Sequence, residues 1–336
     1  MKWGLRFDTR FDNQEYSAVT QEGVISSKTD FSVRLAPVVG IAIDRLHSIM
    51  GGASFTFDMG APHDKRDPEV LLYYNYRTPK FSAYAGKFER RRLVGGYSRA
   101  IYAESHTFYD HVIEGFAFQY TPDASKFELV LDWDGMQSPQ KRESFRIISA
   151  GEWNPTKIAS TKWFTAGYSF DMYHLASSAE QSEGVVDHIL MNPYVGAVFN
   201  RLSNVWFQRL ELSVGWLGSF DRERRVENVW EAANGLTVDF TLQKWNVGIH
   251  NHLYLGDKQF AYWDKYGSRV YRGDPFYSIS GTYNYTRIYW RPRLSEGVSF
   301  DLSLEFPYDG SNMGFQQIAW IGVSIDSGVF DRKRKK

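Results

Sequence analysis

The sequence predicts an all-β chain: a closed antiparallel transmembrane β-barrel of about sixteen strands, with short periplasmic turns at one rim and long extracellular loops at the other. The first observation behind this is a two-residue alternation of apolar and polar side chains along the whole chain. The second is segment length, about 10 residues each, which spans a bilayer when a strand is tilted. The third is the order of the connections, which alternate between short and long.

Residues 298–306 show the alternation most clearly. Val298, Phe300, Leu302, Leu304 and Phe306 fall on one face, and Ser299, Asp301, Ser303 and Glu305 on the other, because successive strand side chains point to opposite sides. Trp3, Leu5 and Phe7 oppose Arg6, Asp8, Arg10 and Asp12. Phe31, Val33 and Leu35 oppose Ser32 and Arg34, and Phe55 and Phe57 sit between Ser54, Thr56 and Asp58. Further on, Phe127, Leu129, Leu131 and Trp133 oppose Glu128, Asp132 and Asp134. Phe164, Tyr168 and Phe170 oppose Thr165, Ser169 and Asp171. Leu210, Leu212, Val214 and Trp216 oppose Arg209, Glu211 and Ser213, and Leu236, Val238 and Phe240 oppose Thr237, Asp239 and Thr241. No stretch carries a helical stripe of any length. Glu114 and Arg287 read as outward-facing.

Short connections are expected near 45–46, 77–80, 121–125, 200–204, 244–245 and 291–297. Long ones are expected near 17–28, 59–68, 93–110, 134–143, 175–186, 219–234, 256–276 and 307–314. The turn near 154–162 is the weak point of the phase. A soluble sandwich gives no reason for such alternation.

Composition agrees. Aromatics make up 17% of the chain, with Trp3, Tyr120, Trp153, Trp163, Tyr285, Tyr289, Trp290 and Trp320 near strand ends, where interfacial girdles sit. The mean hydropathy of −0.42 does not oppose a membrane, since only alternate barrel residues face lipid. Cysteine is absent, which removes disulfides and thiolate metal sites. Lys+Arg and Asp+Glu are equal at 39 each, which argues against nucleic acid as a partner. The chain divides into one barrel domain over 1–328 and a basic tail over 329–336, solvated and within reach of anionic headgroups. Met1 runs straight into the first strand, so the expectation is an outer-membrane protein whose signal peptide has been removed.

A spanning sheet must close, because hydrocarbon satisfies no backbone N–H or C=O group. About sixteen strands leave room for an aqueous bore. Arg6, Asp8, Arg10, Asp12, Arg34, Arg146, Arg209, Glu211, Asp239, Asp301 and Glu305 are the expected lining, either facing solute or pairing across strands to stiffen the wall. The third long connection supplies a candidate constriction: Lys87, Glu89, Arg90, Arg91, Arg92 and Arg99 against Glu104 and Asp110. The alternative for it is an extracellular loop with a solvated basic rim. The seventh, with Phe260, Tyr262, Trp263, Tyr266, Tyr271, Phe276 and Tyr277, suits stacking on sugar rings, or packing as a lid. Arg272-Gly273-Asp274 is read as a coincidental tripeptide.

Other chemistry is weak. His250 and His252 face the same way on one strand without a clear third metal ligand nearby, and read as a satisfied lumen pair. Asp132 and Asp134 before Gly135 form a fragment of calcium-loop spacing. No Gly-x-Ser-x-Gly elbow and no phosphate-binding glycine loop occurs. The expectation is therefore a protein that is not an enzyme and needs no cofactor or metal.

The whole pattern resembles Gram-negative outer-membrane porins. Gly-Lys-Phe-Glu-Arg-Arg-Arg-Leu at 86–93 and Tyr-Arg-Gly-Asp-Pro-Phe-Tyr at 271–277 resemble phrases in porin-like barrels of Bacteroidota. The resemblance implies a water-filled barrel for passive diffusion of small hydrophilic solutes. Its surroundings would be outer-membrane lipid, lipopolysaccharide and other outer-membrane proteins. One departure is the basic C-terminal tail, where such barrels end on an aromatic; Phe330 is the nearest here. The alternatives are a plugged barrel serving as a subunit of an assembly or uptake complex, and a soluble β-sheet protein that binds or cleaves glycans.

Overall fold

The computed structural model describes residues 1–16, 25–61, 67–139, 141–155, 163–177, 184–199 and 206–327. The basic tail and Phe330 lie outside the described residues. Sixteen strands run in chain order: β1 (Lys2–Tyr16), β2 (Lys28–Ala42), β3 (His47–Asp58), β4 (Glu69–Arg77), β5 (Phe81–Glu89), β6 (Val112–Tyr120), β7 (Lys126–Gly135) and β8 (Ser144–Trp153). They continue with β9 (Phe164–Leu175), β10 (Val185–Val198), β11 (Arg209–Arg224), β12 (Glu231–Lys244), β13 (Val247–Gly256), β14 (Thr282–Trp290), β15 (Val298–Tyr308) and β16 (Gly314–Asp326). Each pairs antiparallel with its sequence neighbours, and β1 closes on β16 from Gly4↔Asp326 to Tyr16↔Gly314. Closure leaves no edge with unpaired backbone groups, as a bilayer demands.

The wall is apolar outside and polar inside. Ile41, Leu72, Phe116, Phe118, Leu129, Leu212, Leu302 and Leu304 are exposed on the outer face. Asp8, Arg10, Asp12, Arg34, Asp132, Arg146, Asp171 and Glu305 are buried on the inner one. This is a transmembrane barrel, and the soluble two-layer alternative is overturned: the large apolar side chains are on the outside of a single closed layer. No described helix is long and apolar enough to cross a membrane.

Turn chemistry fixes the short-turn rim. Trp245 and Asn246 both adopt positive φ, 49° and 66°, the two-residue geometry that matches the twist of a hairpin. The turn falls one residue later than the sequence suggests. On the other rim β11 and β12 run on into the expected long connection and leave only 225–230 as loop.

Two connections at the long-loop rim fold into the bore. Residues 90–111 carry α1 (Glu104–Tyr109), and residues 257–281 carry α2 (Trp263–Tyr266) and α3 (Phe276–Ile279). Phe260, Trp263, Val270, Tyr271, Phe276 and Tyr277 pack against Tyr173, Leu190, Leu217, Tyr254 and Tyr283 of the wall. The seventh connection is thus a packed plug, and its aromatics are not free to stack on sugars.

This plug reverses several sequence-based orientations, because it makes parts of the lumen apolar. Phe88 is 0% exposed among the inward-facing Tyr73 and Tyr84. Lys87, expected at the constriction, therefore points outward and pairs with Glu114 at 2.6 Å on the outer face. Arg287, expected outward, points inward to Glu104 at 2.8 Å. Tyr285 and Tyr289 are buried in the lumen, and Trp320 stacks edge-on against Phe108 and donates to Asp8, so these three leave the girdle. Trp3, Tyr120, Trp153, Trp163 and Trp290 remain exposed as expected.

Candidate functional site

The two in-folded connections brace one another. The Asp274 amide donates to the Arg99 carbonyl at 2.8 Å and the Ala103 amide to the Arg272 carbonyl at 3.2 Å. Arg99 Nη2 donates to Asp274 at 3.0 Å, and its guanidinium lies 3.7 Å from the centre of the Tyr285 ring. Arg272 reaches Asp134 at 3.2 Å and Asp110 at 3.7 Å. The Arg-Gly-Asp tripeptide is therefore an internal brace, and Asp134 is occupied by an arginine.

Arg90 is the most buried of the three consecutive arginines. It donates to Asp132 at 2.8 Å, to Asp110 at 3.1 Å, and to the carbonyls of Asp110 and Val112, and it contacts the Tyr102 hydroxyl. Arg91 holds Glu89 at 2.7 Å, and Arg92 donates to the Tyr73 hydroxyl at 2.5 Å. The three diverge around the short helical turn that they form.

Glu104 sits where α1 meets the wall, between Arg287 at 2.8 Å and Arg99 at 3.8 Å. Burial alone would raise its pKa; Arg287, Arg99 and Arg10 overcome this and hold it at about 2. Arg99, Ala103, Glu104 and Tyr285 line two cavities at once: one of about 210 Å³ reaching Tyr16 and Lys28, and one of about 550 Å³ reaching Arg209 and Arg291. The first faces the long-loop rim and the second the short-turn rim. Of the expected constriction set, Arg99 and Glu104 meet at this septum, Asp110 and Arg90 fasten the loop to the wall, and Lys87 is outside.

The expected lining is inward-facing and paired. Arg6 and Arg34 share Asp8, and Arg10 holds Asp12 at 2.6 Å. Arg146 contacts Asp171 and donates to the Val270 carbonyl at 2.6 Å, tying the wall to the plug. Arg209 holds Glu211 at 2.7 Å, Asp301 takes Arg287 and Arg291, and Glu305 lies 3.3 Å from Arg287. Asp239 and His252 Nδ1 are 2.7 Å apart, while His252 Nε2 meets the Tyr277 hydroxyl at 2.6 Å. Both nitrogens of His252 are thus engaged. His250 Nδ1 meets Thr241 at 2.9 Å.

Two further histidine contacts escape sequence reading, because their partners are far apart in the chain. His188 and Asp221 lie 2.5 Å apart, at 0% and 1% exposure, beneath Phe260. The plug closes them off from solutes. His111 is the other, at the point where the in-folded loop rejoins the wall. Its Nε2 lies 2.6 Å from the Ser54 hydroxyl of β3 and 3.7 Å from the Glu69 carboxylate of β4. Ser54 and Glu69 are cross-strand partners near the long-loop rim. Burial and Arg34 lower the His111 pKa to about 4, so the imidazole is neutral at physiological pH. Its Nδ1 is buried without a described partner. A neutral imidazole against a serine hydroxyl is the contact through which a base activates an oxygen nucleophile; here the carboxylate stands at the same nitrogen, Nε2, and not at Nδ1.

A family model described as lipid A 3'-O-deacylase-type matches residues 5–330. The chain belongs to this family. The match runs from β1 through β16, so it covers the barrel and both in-folded connections. It overturns the expectation that the protein is not an enzyme, because the family's description names a deacylase. That expectation rested on missing local motifs, and a Ser–His contact between β3 and the start of β6 leaves no local motif. No curated protein matches the chain. Among solved structures, a mutant porin of Rh. blastica is similar at 11% identity and a TM-score of 0.47, over 96% of this chain and 99% of that one. A double mutant of OccD1 (OprD) is similar at 10% identity and a TM-score of 0.47, over 97% of this chain and 95% of that one. At these scores neither carries an argument; the barrel stands on its own hydrogen-bonded ladder.

Proposed function

We propose that this barrel is an outer-membrane hydrolase that removes an ester-linked acyl chain from lipid A at its long-loop rim. The family match over residues 5–330 carries the reading. Ser54 and His111 are the residues proposed for the chemistry. His111 Nε2 takes the Ser54 proton as Oγ bonds to the ester carbonyl carbon. The ester C–O bond then breaks, and the proton passes to the departing sugar oxygen. Water, deprotonated by the same imidazole, releases the fatty acid and restores Ser54. Glu69, 3.7 Å from Nε2, balances the charge on the imidazolium formed in each step.

The test is mass spectrometry of lipid A incubated with the detergent-solubilised barrel. The expected result is loss of one acyl mass, slowed at least about 100-fold by Ser54→Ala and by His111→Ala. Unchanged lipid A with folded wild-type protein sinks the reading. Deacylation that survives both substitutions sinks the residue assignment.

A second reading is passive diffusion of small hydrophilic solutes, favoured by the two polar cavities that meet at Arg99 and Glu104. It predicts a steady open level in a planar bilayer, and a shift towards cation preference on Arg99→Ala. A silent, inserted barrel contradicts it and favours a plugged role among other outer-membrane proteins.

A further inference from the structure

The cavity of about 550 Å³ on the short-turn side has an uneven lining: Arg90, Arg91, Arg99, Arg209, Arg287 and Arg291, with Glu104 its one carboxylate among the described residues. The carboxylates that neutralise these arginines stand behind them. Glu89 holds Arg91, Glu211 holds Arg209, Asp301 holds Arg291, and Asp132 holds Arg90; none of the four lines this cavity. Arg90 has all three guanidinium nitrogens engaged, while Arg91, Arg209 and Arg291 keep nitrogens that these carboxylates do not take. Arg91 uses Nε and Nη2 on Glu89, Arg209 uses Nη2 on Glu211, and Arg291 uses Nε on Asp301. Arg99 Nε has no acceptor among the described residues although it is buried. The adjoining cavity of about 460 Å³ is different: Glu152, Glu211 and Asp239 offset Arg99, Lys126 and Arg209 there. The cationic character is therefore local.

We propose that this cavity binds a small phosphorylated solute of sugar-phosphate size, entering from the short-turn rim. Fixed planar guanidiniums match phosphate oxygens in bidentate geometry. Tyr285 and Tyr289 line the same space and carry the Arg99 and Arg291 guanidiniums on their rings, at 3.7 and 4.5 Å. The volume lies within the usual range for small-molecule sites, roughly 300–1,000 Å³. The rear carboxylates hold the donors in place without an ordering cost at binding. This inference rests on neither functional reading above, and the lipid A assay leaves it untouched.

The test is isothermal titration of the detergent-solubilised full chain with glucose 6-phosphate and with glucose. Glucose 6-phosphate is expected to bind at least about tenfold more tightly than glucose, and more weakly as salt rises. Arg209 and Arg291 are partly solvated, so the double variant Arg209→Gln/Arg291→Gln keeps the wall intact. It is expected to lose tenfold or more in affinity, while the outward Lys87→Gln changes nothing. Equal binding of the two sugars, no binding of either, or an unaffected double variant overturns the proposal. If the double variant does not fold, the wild-type comparison of the two sugars and its salt dependence decide alone.

Discussion

Arg90→Met will destabilise the barrel by about 3–5 kcal/mol, the cost of breaking a buried ion pair by removing one partner. Arg90 is 4% exposed and bridges Asp132 and Asp110, the first of which is itself buried and the second of which Arg272 also reaches at 3.7 Å. Its guanidinium also serves the carbonyls of Asp110 and Val112. Methionine fills much of the volume but satisfies none of these four acceptors, and Asp132 is left without its cation in a dry place. The effect is read as the shift in urea midpoint of the detergent-folded barrel. A double variant, Arg90→Met/Asp132→Leu, should recover a large part of the loss, because an apolar pair of similar volume is often tolerated where a broken ion pair is not. A loss below about 1 kcal/mol for the single variant would mean that the in-folded loop is solvated and does not pack as described.

Leu302→Arg will cost about 2–4 kcal/mol, because it places a cation on the lipid face near the middle of β15. Tyr120→Arg, at the short-turn end of β6, will cost only about 0–1 kcal/mol by the same rule, since it sits near an interface. Both outward side chains are similarly exposed, at 43% and 47%, so exposure does not account for the contrast and depth does. Equal costs, read from reversible unfolding into the same lipid vesicles, would remove the membrane from the explanation.

The wall was legible because each strand repeats one physical rule. Val298 to Phe306 alternate without interruption, and the structure turns them accordingly. The errors cluster where that rule meets the plug. Tyr285, expected in the interfacial girdle, turns inward beside Tyr283 because residues 257–281 give both of them partners there, and Phe88 is buried inside in the same way next to residues 90–111. Lys87 and Arg287 are displaced with them. A two-residue period cannot show which face is apolar once a loop fills the bore.

The candidate site was legible only in part. Arg99 and Glu104 are close in sequence, and their opposition could be guessed from one loop. Ser54 comes from β3, Glu69 from β4, and His111 from the end of the in-folded loop. Nothing in the spacing joins them, and only the paired register of β3 and β4, with the loop returning at β6, brings them within reach. The one available signal was positional: a histidine at the junction where a long loop re-enters the wall. Sequence motifs report sites built locally, and this one is built by closure of the barrel.

Spin labels placed singly at positions 300 to 305 of β15 test the central claim most directly. In lipid vesicles, labels at 300, 302 and 304 should relax with oxygen dissolved in the bilayer, and labels at 301, 303 and 305 should not. Loss of that two-residue alternation, or access of a water-soluble relaxant to positions 300, 302 and 304, would contradict a closed wall with lipid outside and a packed polar interior.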